Sequence, residues 1–153
     1  MSGRRYEPEW ALAEIFESYL DEVLDEELFS KSPVVTFFDP MAQDEAERVV
    51  VLVHDVETSA DGVSNFAAVV EVTVKSQLKK PTLAEDMAAH FERTKAVRDV
   101  LCATNLMTEL DAVDDGLGVD GVNKRRGMRT QLADGWIYSE TKLTVKCFAR
   151  AAA

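Results

Sequence analysis

An α+β fold, with two principal helices packed on a mainly antiparallel sheet, follows from three features of the chain. Phe66, Ala68, Val70, Val72 and Val74 alternate with Ala67, Val69, Glu71, Thr73 and Lys75, the period-two pattern of a strand with one buried face. Thr82 stands three residues before Glu85, a capping box that opens a helix, and Leu83, Met87, Phe91, Val97 and Leu101 then recur on one helical stripe. Val49–Val53 is continuously apolar, as in a strand central in its sheet. A half-buried sheet and a one-sided helix each need a partner, and each suits the other.

The remaining elements complete that pair of layers. Pro8–Phe29 places Leu12, Ile15, Phe16, Tyr19, Leu20, Val23 and Leu24 on one face, with acids mostly between them, so an amphipathic helix is expected at about 8–29. Pro8 suits its first turn, and Glu7 and Glu9 favour its positive end. Val34–Phe38, closed by Asp39-Pro40, reads as a short edge strand, and Met41–Glu47 as a loop or single turn. Arg48–Glu57 and Phe66–Lys75 then form an antiparallel hairpin across the turn-forming residues Thr58–Ser64.

The capped helix weakens near Thr104-Asn105 and resumes briefly through Leu106–Val113, before Asp114-Asp115-Gly116 and Gly118 break the chain. Val119–Leu132 is basic, with Gly121 and Gly127 weakening it as a strand. Ala133-Asp134-Gly135 reads as a turn into Trp136–Phe148, which closes a second hairpin. The expected order is αβββαββ in a single domain spanning 1–153, with the sheet and second helix at about 33–149.

The chain has 153 residues and a net charge of −11, enough length to bury a core. Its first 62 residues hold sixteen acids against four bases, and the rest hold twelve against thirteen. So acidic a chain is poorly suited to coating nucleic acid, which draws on Lys and Arg. Acids on solvated faces account for solubility; the sharper alternative is a surface that repels nucleic acid. No apolar run approaches the length of a membrane span, and the charged start, Met1–Glu9, has no leader-like apolar segment. Cys102 and Cys147 are expected as buried, reduced thiols.

Chemistry-bearing patterns are sparse. His54, His90, Cys102 and Cys147 are scattered singly rather than at metal-ligand spacing. His54 and Asp55, as neighbours on a strand, should point to opposite faces, which disfavours an acid–base dyad. No nucleophile elbow, glycine-rich phosphate loop or calcium-loop spacing is present. The expectation is therefore a protein that is not an enzyme, with no catalytic, cofactor-binding or metal-binding residues. The basic residues Lys124, Arg125, Arg126 and Arg129 could touch phosphate, meet an acidic patch on another copy, or simply be solvated. A contact between that segment and the acidic N-terminal third would be head-to-tail, and such contacts close rings when the rotation allows.

In size, element order and texture, the chain resembles the tail terminator (tail-completion) proteins of long-tailed bacteriophages. The resemblance runs over roughly residues 45–149. It rests on the hairpin Arg48–Glu57 and Phe66–Lys75 and on the helix bearing His90, Arg93, Val97, Arg98, Val100 and Leu101. It continues through Leu106–Asp120 and Trp136-Ile137-Tyr138 to the closing strand Leu143-Thr144-Val145. The acidic N-terminal helix and the basic 124–129 segment depart from it, and allow a different neck or head–tail adaptor protein of similar fold.

The resemblance implies a structural virion protein, made in the host cytoplasm. Its homohexameric ring would cap the tail tube protein, end tube growth and offer a joining surface to a head–tail connector or neck protein. DNA would pass through without specific binding, with no membrane involved, and a carboxylate-lined lumen would keep phosphate from sticking. Glu17, Asp21, Asp25, Asp44, Glu45 and Glu47 are candidates for that lining. A further alternative is a small cytoplasmic adaptor that offers Leu12, Phe16, Tyr19 and Val23 to a partner's groove.

Overall fold

Alternation along the strands decides where the core sits. The computed structural model describes residues 8–36, 46–59, 62–79 and 83–150, without the side chains of 8, 59, 62–64, 83 and 125–128. Helix α1 (Pro8–Val23) leads through a short 3-10 turn (Glu26–Leu28) to β1 (Val34–Thr36), β2 (Arg48–Ser59) and β3 (Gly62–Gln77). Helices α2 (Leu83–Leu101) and α3 (Leu106–Asp111) follow, and β4 (Leu117–Ala133) and β5 (Trp136–Ala149) close the chain. The five strands form one sheet in the order β1-β2-β3-β5-β4. Every pairing is antiparallel except β1 with β2.

The α+β class and the mainly antiparallel sheet agree with expectation; the expected αβββαββ order with two principal helices does not. A third α-helix stands between α2 and β4, because Leu106 and Leu110 are both buried and hold one more turn and a half against the core. The first helix also stops at Val23 rather than Phe29. Asp25 ends it by accepting a 3.0 Å hydrogen bond from the Glu27 N–H, which starts the 3-10 turn instead.

Both hairpins are longer than expected. β2 and β3 pair out to Ser59 with Gly62. β4 runs through Gly118 and Gly121 without breaking, because Gly118 leaves room for a ring: a Cβ there would lie 2.2 Å from Phe148 Cζ. The β4–β5 turn has Asp134 at φ 50° and Gly135 at φ 82°, the two left-handed residues of a type I′ hairpin turn.

One face of the sheet carries Val49, Val51 and Val53 of β2, Ala68, Val70, Val72 and Val74 of β3, and Leu143, Val145 and Cys147 of β5. They share one core with Leu12, Ile15, Phe16 and Leu20 of α1, Val97 and Leu101 of α2, and Leu106 and Leu110 of α3. Helix α1 lies mainly over β2, α2 over β3, and α3 over β4. The stripe Leu12, Phe16 and Tyr19 is thus turned inward, and Val23 of the same expected stripe is exposed.

The buried line of α2 is not the expected one. Phe91 is 47% exposed, while its neighbour His90 is fully buried. His90, Thr94, Val97 and Leu101 face the sheet, so the helix is turned by one residue from its apolar stripe. The capping pair Thr82 and Glu85 cannot be compared, since Thr82 lies outside the described residues.

Candidate functional site

That rotation of α2 builds a polar seam inside an otherwise apolar layer. Ser76 continues the inward face of β3 after Val74, and Ser139 continues that of β5 after Ile137; both are fully buried. The His90 ring sits between them, with Nδ1 2.8 Å from Ser76 Oγ and Nε2 2.7 Å from Ser139 Oγ. Thr94 Oγ1 is 3.4 Å from Nε2, and Thr130 Oγ1 of β4 lies 2.7 Å from Ser139 Oγ. Burial, and then the Arg93 charge, holds the imidazole down to about 4, so it is neutral near pH 7.

Arg93 extends the seam outward. Its Nη1 donates to Ser76 Oγ at 2.9 Å and to Glu47 Oε2 at 3.2 Å, while its Nε donates to the Leu28 carbonyl. Glu47 is itself held at both ends. Its Oε2 accepts from the Gln77 N–H at 3.1 Å, and its backbone N–H donates to Ser30 Oγ at 3.0 Å. The network thus joins the 3-10 turn, the start of β2, the end of β3, α2, β5 and β4. Its serines and imidazole have no solvent access, so it clamps elements together and does not present a nucleophile.

A second cluster lies on the other face of the sheet. Asp55, at φ 52°, forms a bulge that sets two β2 residues, Asp55 and Val56, opposite Ala68 alone. Contrary to the strand-neighbour expectation, the bulge brings Asp55 Oδ2 to 3.1 Å from His54 Nδ1. Glu71 Oε2 lies 2.5 Å from His54 Nε2, but off the N–H axis, so it is a charge contact rather than a hydrogen bond. No nucleophile or metal-ligand trio accompanies this cluster among the described residues.

The cysteines part company. Cys147 is buried, and burial followed by the Asp120 charge raises its thiol to about 12, keeping it protonated. Cys102, expected in the core, is exposed just past the end of α2, and Lys124 Nζ lies 2.9 Å from its sulfur. Both thiols are free.

The charged candidates separate by role and place. Glu17 is half-buried and accepts a hydrogen bond from the Val35 backbone, with burial raising its pKa. Glu47 is engaged by Arg93. Asp21 and Asp25 are exposed, on the β1 side of the molecule. Asp44 and Glu45 lie outside the described residues. Lys124 and Arg129 are exposed on β4, the opposite edge strand, with Arg129 in register with Glu140. Arg125 and Arg126 follow the same strand, their side chains outside the description. The β4 register shifts on both sides of Arg126, and such irregularities with exposed charge blunt a sheet edge against indiscriminate pairing.

Sequence reasoning missed the seam entirely. The signal was there: Ser76, Ser139, His90 and Thr94 are polar residues at positions where the inward periodicity calls for apolar ones. No known protein family matches the chain, and no curated protein is similar to it.

Proposed function

We propose that the chain is a structural subunit of a ring, a tail terminator that caps a phage tail tube and presents the surface joining it to the head. The observation that carries this reading is the segregation of charge to opposite edges of one sheet. Exposed carboxylates gather at the β1 edge, and exposed bases at the β4 edge. Opposite charge on opposite edges favours a head-to-tail contact, and a head-to-tail contact repeated around an axis closes a ring.

The resemblance over residues 45–149 supplies the rest: six subunits, a tail tube protein on one side, and a neck or connector protein on the other. The chain acts without catalysis and without cofactor. With a net charge of −11 per subunit, such a ring repels phosphate and lets DNA pass. Glu17 and Glu47 are tied within the subunit, so any lining comes from other carboxylates. Another neck or head–tail adaptor protein is the second reading, and the charge segregation suits it equally. An adaptor using the α1 stripe is less well supported, because Leu12 and Phe16 are fully buried in their own core.

The test is to polymerise tail tube protein with and without the purified chain and to image both by negative stain. Six-fold rings at tube ends, with shortened tubes, are expected. Tubes of unchanged length with bare ends overturn the reading.

A further inference from the structure

A groove of about 640 Å³ lies between the end of α1, the 3-10 turn and the residues leading into β1. Half-buried Leu24 and Phe29 line it, together with the carboxylates of Asp21, Glu22, Asp25 and Glu26 and one base, Lys31. One Asp25 oxygen already accepts the Glu27 N–H; Asp21, Glu22 and Glu26 stay exposed. The volume is that of a recess that takes several side chains. Apolar lining combined with carboxylates suits long side chains that lay methylenes on the surface and end in a cation, as Lys and Arg do.

The same molecule carries the matching surface at its other edge. Lys124 and Arg129 are exposed on β4, and Arg125 and Arg126 lie between them on the same strand. β1 has only three residues, too few for a continuous sheet between subunits, and the β4 register shifts interrupt its ladder. A contact between these edges must therefore run through side chains.

The geometry points to this groove as the seat of the basic β4 segment of a second copy of the chain. The inference rests on the ring reading for its closure, and it assigns Asp21 to the subunit contact rather than to a lumen. Each subunit gives its β4 bases to one neighbour and receives those of the other in its groove. The contact is electrostatic at its rim, so it weakens as salt rises.

The test reverses each surface and then both, at positions outside the core. The variants are Lys124→Glu with Arg129→Glu, Asp21→Lys with Glu22→Lys, and all four together. Circular dichroism checks that each is folded. Native mass is measured by sedimentation at low and high salt, and ring occupancy is counted on tail tube ends. Either double reversal is expected to reduce the assembly to monomer, and the four-fold variant to restore it. Rings that persist in both double variants overturn the groove assignment while leaving the ring reading intact. A wild-type chain that stays monomeric at millimolar concentration and leaves tube ends bare overturns both.

Discussion

Helices α1 and α2 cover the same face of one sheet by opposite means. α1 presents Leu12, Ile15, Phe16 and Leu20, all essentially without exposure, to the valines of β2 and β3. α2 presents His90 and Thr94 at one end and Val97 and Leu101 at the other, so half of its contact is a hydrogen-bonded seam. An apolar contact tolerates small shifts, since dispersion and water exclusion have no direction. A buried imidazole between two serines does not, because each hydroxyl left without its partner costs free energy. The first helix is glued, and the second is keyed.

Truncating the glued side should have the largest effect. Phe16→Ala removes a fully buried ring and is expected to cost about 3–5 kcal/mol, read as a lowered denaturation midpoint with unchanged slope. His90→Leu should come next. It keeps bulk but orphans the Ser76 and Ser139 hydroxyls, for a loss of roughly 2–4 kcal/mol. If His90→Leu proves as stable as wild type, the keyed description is wrong.

The keyed side also predicts a pH dependence that the glued side lacks. His90 is held near 4 in the fold against 6.5 in its model state, so the unfolded chain binds the proton that the folded chain refuses. Stability from this site is therefore complete above about pH 6.5 and falls as pH drops toward 4, by roughly 3 kcal/mol. His90→Gln, which can hydrogen-bond but cannot titrate, should flatten that part of the curve. Urea unfolding of both proteins across the range measures the difference.

The smallest effects belong outside both layers. Phe91→Ala, on the solvent side of α2, should change stability by no more than about 0.5 kcal/mol. A loss as large as that of a buried aromatic would mean that the apolar stripe, not the seam, faces the sheet.

Much of this architecture is legible in the residues. Period-two alternation located β2, β3 and β5, and the i, i+3, i+4 pattern located α1 and its buried face, because both patterns report local geometry directly. The Ala133-Asp134-Gly135 turn was legible for the same reason: few residues other than Gly, Asn and Asp accept positive φ. Contacts between distant positions were not legible. Ser76, His90 and Ser139 meet across 49 and 14 residues of chain, and nothing local to any of them names the others.

The sequence by itself determined the α+β class, the two hairpins, the inward face of α1 and the excess of acid in the first 62 residues. Only the tertiary structure decided which face of α2 is buried. Its apolar stripe and its His90–Thr94 line lie one residue apart, and the serines on β3 and β5 made the polar line the better fit. Only the tertiary structure, too, set β1 and β4 at opposite edges of the sheet. Strand order depends on crossovers that join residues far apart in sequence, so charge segregated along the chain became charge segregated across the molecule only once β5 had paired with β3.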